Sequence, residues 1–447
     1  MDLLNPIDAL FLTIESREHP MHVGGLQLFE PPDDADVDFV RAMYDEAMAA
    51  TDVPARFRRR PGRILGGFSS VAWSHAENVD LGYHLHRCAL PAPGGRTELL
   101  DLIGRLHSTL LDRHRPLWEG RIIEGLADGR FALYVKVHHA MMDGVSALRL
   151  LQRALTDDPY DTRLRMPWTI ERPERDPDAT AGIWEQIRKT VPHMATGAGI
   201  TARALARGQL ELPLSAPHTM LNVPIGGARS VAVASWPLER IRAVRRATGS
   251  TVNDVILAMS AGALRSYLME RNALPDKALT AMVPVSLRSP TDSGSDGNMV
   301  AALLCTLGTD IADAGQRLHT IGDSVRRAKE VFQQLPRPEA IALSALLLSP
   351  LVTTLIPGFQ ALPRVPYNLV VSNVPGPRKP VYLRGARLDR NYPLSIPYDG
   401  QAMNITITNT ADTLDFGLVA CRRSVPRLPR MIGHLNSALE DLEAAAR

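Results

Sequence analysis

The sequence predicts a mixed α/β chain, α+β in each half, with mixed sheets and two similar domains. Three observations lead there. Alternating apolar runs and amphipathic helical stretches occur in comparable amounts in both halves. A Pro- and charge-rich stretch, DDPYDTRLRMPWTIERPERDPD (157–178), divides them. The chain has 447 residues, 45% of them hydrophobic, which is enough for more than one large core. The division read from this is 1–178, a helical linker at 179–215, and 216–447. No tandem repeat of short period is visible.

In chain order, PMHVGGLQLFEPP carries a strand that ends at Pro31 and Pro32. DVDFVRAMYDEAMAA has helical spacing at Phe39, Met43 and Met48. RFRRRPGR follows, with Arg56, Arg58, Arg59, Arg60 and Arg63. It reads either as a solvated loop or as a contact for phosphates of an anionic membrane or a nucleotide-bearing substrate. Residues 80–90 read as a strand, and Leu99–Leu111 as an amphipathic helix broken by Pro116. Trp118 falls in the turn that follows, where it reads as packing or as part of a site mouth.

FALYVKVHHAMMDG (131–144) organises the first half. Phe131, Leu133, Val135 and Val137 alternate onto one strand face. His139 continues that parity and is expected to point to the core. His138 is expected on the opposite face with Tyr134 and Lys136. Asp143 can cap the next helix, in which Leu148, Leu151 and Leu155 point inward. Gly144 suits a close turn or backbone approach.

Three readings compete for these residues. Metal binding fits poorly, because neighbouring strand histidines diverge and the helical i, i+4 pair of a zinc protease is missing. A structural pair with a capping aspartate is the second. General-base catalysis is the third, since a neutral imidazole can take a hydroxyl proton near neutral pH. No G-x-S-x-G elbow supports an acyl-enzyme route.

Residues 183–212 are expected to be mostly helical. With Arg188, Lys189, Arg203 and Arg207, this segment either packs on its own protein or lies on a membrane surface. SVAVASW is a strand and LERIRAVRRAT a helix. TVNDVILAMSAGALRSYL is a second helix, with Asn253 and Asp254 at its capping end. LTAMVPVSLR is a strand ending at Arg288, TDSGSDGN a loop, MVAALLCTLGTD a strand, and Gln316–Gln334 a helix. The charge-free run Ala340–Pro363 is interrupted by Pro350 and Pro357, so two short buried or interfacial helices are expected rather than a membrane span. YNLVVSNVPGP is a strand ending in a Pro-Gly turn. AMNITITNT and TLDFGLVA form a hairpin, and a helix closes the chain.

Composition narrows the class. Net charge is +2, so nothing global favours nucleic acid. Arginine outnumbers lysine 45 to five, which is read as a coding bias. Cys88, Cys305 and Cys421 lie far apart and form no CxxC pair, which fits a reducing compartment. The N-terminal stretch has acids where a signal peptide needs basic residues, so no export signal is read.

HHAMMDG matches the HHxxxDG signature of the CoA-dependent acyltransferase superfamily. With NPIDALFLTIES, PMHVGG, LDRHRPLWE, PHTMLNVPIGGAR, TVNDVILA, VPVSLR, GNMV and SNVPGP in order, the chain resembles the bacterial bifunctional wax ester synthase/diacylglycerol acyltransferase family from end to end. The resemblance implies two chloramphenicol-acetyltransferase-like domains with the active site in a tunnel between them. It implies an acyl-CoA-dependent O-acyltransferase of lipid metabolism that makes triacylglycerol from diacylglycerol. A wax ester synthase using long-chain alcohols is the alternative within the family. A non-catalytic lipid-binding protein on the same fold is the alternative outside it.

The second motif histidine, His139, is then the base, the residue that strand parity also favours. Asp143 is structural and held by an arginine, with Arg288 the candidate. Pro116, Leu117 and Trp118 match the PLW element at the acyl-CoA entrance. Asn253 and Asp254 match the ND motif, and Asn253 is a possible oxyanion donor. Ser372 and Asn373 belong to SNVPGP near the interdomain cleft. Cys421 departs from the family, whose members tend to have an acid there. No metal or prosthetic group is implied, with acyl-CoA as co-substrate. The expected location is cytoplasmic, peripheral to the inner membrane or lipid droplets.

Overall fold

A computed structural model describes residues 2–4, 6–62, 72–171, 215–286, 300–335, 340, 343 and 364–447. The first half runs β1 (Asp2–Leu3), α1 (Pro6–Ile14), β2 (His22–Glu30), α2 (Phe39–Ala49), β3 (Arg59–Gly62), β4 (Ala72–His75), α3 (Leu81–His84), β5 (Leu85–Ala89), α4 (Arg96–Ser108), β6 (Trp118–Glu124), β7 (Phe131–His138) and α5 (Gly144–Arg153). The second runs β8 (Ala216–Pro217), β9 (Arg229–Pro237), α6 (Leu238–Thr248), α7 (Val252–Met269), β10 (Thr280–Ser286), β11 (Val300–Thr306), α8 (Ala314–Gln334), β12 (Arg364–Val365), β13 (Leu369–Val374), β14 (Tyr382–Leu383), β15 (Ala386–Leu394), β16 (Met403–Thr410), β17 (Thr413–Cys421) and α9 (Arg430–Ala445).

Two six-stranded sheets dominate. Their orders are β14-β15-β2-β7-β6-β5 and β11-β10-β13-β16-β17-β9. Both are mixed: β5 and β6 are parallel in the first, and β13 runs parallel to β10 and β16 in the second. The expected mixed α/β class is what the chain adopts. One feature is not foreseen by a division at residue 215. β14 and β15 belong to the second half in sequence, yet β15 pairs with β2, so the second half completes the first sheet.

The sheets meet through apolar side chains. Leu26, Leu28, Ala132 and Tyr134 of the first pack with Leu99 and Ile103 of α4, and with Val231, Val233 and Val419 of the second. Close approach there needs a residue without a side chain. A Cβ at Gly417 of β17 would lie 1.9 Å from the Pro393 carbonyl oxygen of β15. Buried Asp415 accepts hydrogen bonds from the Asn391 N–H and from the hydroxyls of Ser235 and Thr410, at 3.0, 2.5 and 2.6 Å. These bonds satisfy a carboxylate that burial would otherwise penalise.

Several sequence expectations change. Residues 80–90 are one helical turn, α3, followed by β5. The helix expected at Leu99–Leu111 runs Arg96–Ser108, because Leu111 packs with Leu117 and Ala140 instead. Trp118 opens a strand, β6, rather than sitting in a turn. Part of the expected linker is core: Met166 and Trp168 are buried, and the Trp168 ring stacks on Trp118 at 5.0 Å. Arg63, Arg288, the stretch 183–212, the TDSGSDGN loop and nearly all of 340–363 lie outside the described residues.

Candidate active site

Strand β7 is covered on both faces. Phe131, Leu133, Val135 and Val137 pack with α5 residues Leu150 and Leu151. Tyr134, Lys136 and His138, expected on a different kind of face, are each no more than 1% exposed. Parity along the strand holds, but the contrast between an inward His139 and an outward His138 does not. Polar partners from other elements allow the second face to be buried. Lys136 Nζ donates to the carbonyls of Leu106 and Thr109, at 3.2 and 2.8 Å, and lies 3.5 Å from Glu119.

His138 is fully buried, with a hydrogen bond on one ring nitrogen and a carboxylate near the other. Nδ1 accepts the Ala140 N–H at 3.0 Å, so the ring proton belongs on Nε2. Nε2 lies 3.2 Å from Oε1 of Glu15, whose side chain is 1% exposed. Burial pushes the Glu15 carboxyl up, but the hydrogen bond and charge of His138, the Met21 N–H and Arg113 together hold it below its ordinary value. Glu15 is thus an ionised carboxylate beside the His138 ring.

His139 is placed differently. It follows the last residue of β7, its N–H donates to the Met21 carbonyl at 2.8 Å, and the residue is half-buried. Its ring lies 4.1 Å from the Phe11 ring of α1. Desolvation pulls its pKa down to about 4, outweighing the nearby Asp143 carboxylate. The ring is therefore a neutral base at physiological pH.

Asp143 caps α5. Its Oδ1 accepts the Ser146 N–H at 2.7 Å, and its Oδ2 the Ser146 hydroxyl at 3.1 Å. Gly144 does not need to be glycine on packing grounds, contrary to expectation: a Cβ would meet only Val23 Cγ1 at 3.8 Å. Asp8 of α1 has its pKa raised to about 7 by burial and by the Asp143 charge, against the pull of Arg59. Apolar walls come from both halves. Ile14, Met21 and Val23 cluster with Ile396 and Tyr398, and Leu10, Phe11 and Ala147 pack against them.

The remaining expected residues divide. Trp118 is wholly buried, stacked on His84 and Trp168, with its Nε1–H donating to the Phe57 carbonyl at 3.0 Å. Its ring presents no face to a cleft. Leu117 is also buried, but its carbonyl takes the His138 N–H at 2.9 Å, so the Pro116–Trp118 element fixes the motif strand. Asp254 forms a capping box with Thr251. The Asn253 amide nitrogen is buried with no acceptor among the described residues. Ser372 and Asn373 are half-buried on β13. The turn after them touches the motif helix: Gln152 Nε2 of α5 donates to the Pro375 carbonyl at 3.2 Å. Arg56 and Arg60 donate to the Ile170 and His114 carbonyls, at 3.4 and 3.1 Å, and so serve the chain's own packing.

Sequence reasoning missed α1 as part of the site. The signal was present in Pro6 at the helix start, Asp8 in its first turn, and the i, i+3, i+7 spacing of Asp8, Phe11 and Glu15. A separate groove of about 760 Å³ opens between α4 and β9, and none of its lining residues belongs to the motif. Among the described residues no group of three His, Cys, Asp or Glu is arranged to hold a metal, and no helix is long and apolar enough to cross a membrane.

Comparison with known proteins covers the whole chain. Residues 4–256 match the family model described as wax ester synthase/diacylglycerol acyltransferase catalytic domain, and residues 296–443 the one described as WS/DGAT C-terminal domain. The chain is 51% identical over 451 residues to a Mycobacterium tuberculosis H37Rv protein named probable diacylglycerol O-acyltransferase tgs2, covering 100% of this chain and 99% of that one. It superposes on the wax ester synthase/diacylglycerol acyltransferase from Marinobacter aquaeolei VT8 with a TM-score of 0.82 and 40% identity, over 100% of both chains. The first condensation domain of the CDA synthetase gives a TM-score of 0.62 at 16% identity, covering 100% and 96%, a likeness of fold alone.

Proposed function

The chain belongs to the wax ester synthase/diacylglycerol acyltransferase family, and on that premise we propose that it makes triacylglycerol from diacylglycerol and fatty acyl-CoA with His139 as general base. One observation carries the choice of base. His138 is sealed, with Nδ1 taking the Ala140 N–H and Nε2 3.2 Å from the Glu15 carboxylate, whereas His139 is half-buried and held neutral by desolvation.

The step balances without an acyl-enzyme. The acceptor oxygen attacks the thioester carbonyl while Nε2 of His139 takes the hydroxyl proton. The tetrahedral oxyanion collapses, the carbon–sulfur bond breaks, and the CoA thiolate recovers the proton from His139. The thioester is already activated, so the chemistry calls for no prosthetic group. Asn253, with its unmatched buried amide, is our candidate oxyanion donor. Asp143 holds the start of α5 and so the loop behind His139. The apolar walls from α1 and residues 396–398 suit a fatty chain and a lipid alcohol entering between the halves. Such an acceptor is dissolved in membrane or lipid droplet, so the enzyme works at that surface from the cytoplasmic side.

The test offers palmitoyl-CoA with dioleoylglycerol in anionic liposomes and, separately, with hexadecanol. Products are read by thin-layer chromatography and the protein by flotation. Triacylglycerol in the first arm, made by protein that floats, is the expected result. Hexadecyl palmitate alone would reassign the acceptor. No CoA release in either arm would mark a non-catalytic lipid-binding protein, and protein that stays down at every salt concentration would remove the surface role.

A further inference from the structure

Helix α1 meets the motif residue by residue. Phe11 stands 4.1 Å from the ring of His139, and Glu15, just past the helix end, contacts His138 Nε2 at 3.2 Å. Glu15 also accepts the Met21 N–H at 3.1 Å through Oε1 and the Arg113 Nε–H at 3.1 Å through Oε2. Arg113 is itself fixed, since its terminal nitrogen donates to the Leu12 carbonyl of α1 at 2.6 Å. The Met21 peptide links this carboxylate to the base: its N–H is held by Glu15, and its carbonyl takes the His139 N–H. Both structures that bracket His139, the His138 ring and the Met21 peptide, thus end on one buried carboxylate.

We propose that Glu15, anchored by Arg113, is a positioning residue for acyl transfer, holding His138 and Met21 so that His139 presents Nε2 to the acceptor. This rests on His139 being the base. Glu15 touches no reactant, so its effect belongs in turnover and not in substrate binding. An acceptor-only group is required. Glutamine could offer its oxygen to Met21 and His138, but its NH₂ would then face the Arg113 donors.

The experiment compares Glu15→Gln, Arg113→Met and the double variant, with His139→Ala as reference, in the full-length enzyme with palmitoyl-CoA and dioleoylglycerol. Glu15→Gln is expected to lose kcat about 10–100-fold, the loss usual for a partner that orients a reacting ligand, with both KM values unchanged. The double variant removes the opposing guanidinium and is expected to recover most of that kcat. Arg113→Met alone loses less than Glu15→Gln, and it decides the matter if Glu15→Gln fails to fold. Wild-type kcat in the readable single variant, KM rising in step with the loss, or a double variant no better than Glu15→Gln would overturn the proposal. Activity in His139→Ala would instead overturn the reading it rests on.

Discussion

Two adjacent histidines differ in what the surrounding atoms leave them free to do. His138 has a backbone donor on one nitrogen and a carboxylate on the other, and it never meets solvent. His139 has an aromatic ring beside it and is held neutral by desolvation. The same desolvation that keeps His139 neutral acts in the opposite sense on Asp8, whose proton is retained up to about pH 7. The consequence for stability has a definite sign. The folded pKa of Asp8 lies above its ordinary value of 3.8, so its stabilising contribution is complete below that value and is lost as pH rises through about 7. Asn mimics the protonated acid. Melting curves of Asp8→Asn and wild type are therefore expected to diverge from about pH 4 to about pH 7, with the variant gaining. A gap that stays constant would show that Asp8 does not titrate in that window.

At the scale of elements, legibility followed the number of faces that need explaining. β7 was readable because Phe131, Leu133, Val135 and Val137 alternate, and its end at His138 fell where the pattern stopped. Its second face was misread because alternation identifies polar residues, not the carbonyls of α4 or the carboxylate of Glu15 that make their burial possible. β15 was not read at all: ARLDRNYPL satisfies its polar side chains by ion pairs such as Arg387–Glu30 at 2.6 Å, a pairing invisible without the partner strand. α1 is only nine residues long and mostly apolar, so its signal, the spacing of Asp8, Phe11 and Glu15, was a faint one. The packing reading of Trp118 holds, since the ring is core. Where β15 and β17 touch, Gly417→Ala would put a methyl 1.9 Å from a backbone oxygen, which only strand separation can relieve. A loss of about 1–3 kcal/mol in urea unfolding is expected. An unchanged midpoint would mean the strands are not held that closely.

Across the whole molecule, the site lies where the halves are tied together. β15 of the second half completes the sheet that carries β7. His19 Nε2 meets Asp399 at 2.8 Å, the Arg229 guanidinium donates to the Glu18 carbonyl at 2.7 Å, and His107 reaches the Ser395 carbonyl at 3.3 Å. Burial brings the Arg229 pKa down to about 10, against the attraction of Cys421 and Asp399, and leaves it charged at neutral pH. These links place Ile396 and Tyr398 of one half against α1 and β2 of the other, beside His139. On the proposed mechanism, two halves joined this way would hold an activated acyl group and a lipid alcohol against one base, removing on the order of several kcal/mol of entropic barrier, as in oriented intramolecular reactions. The central claim is that His139 accepts the acceptor's proton. Its most direct test is the turnover of a folded His139→Ala enzyme, with CoA release from palmitoyl-CoA followed by a thiol reagent in the presence of dioleoylglycerol. A fall of about 10²–10⁴-fold at unchanged melting temperature is predicted, and turnover at the wild-type rate would contradict it.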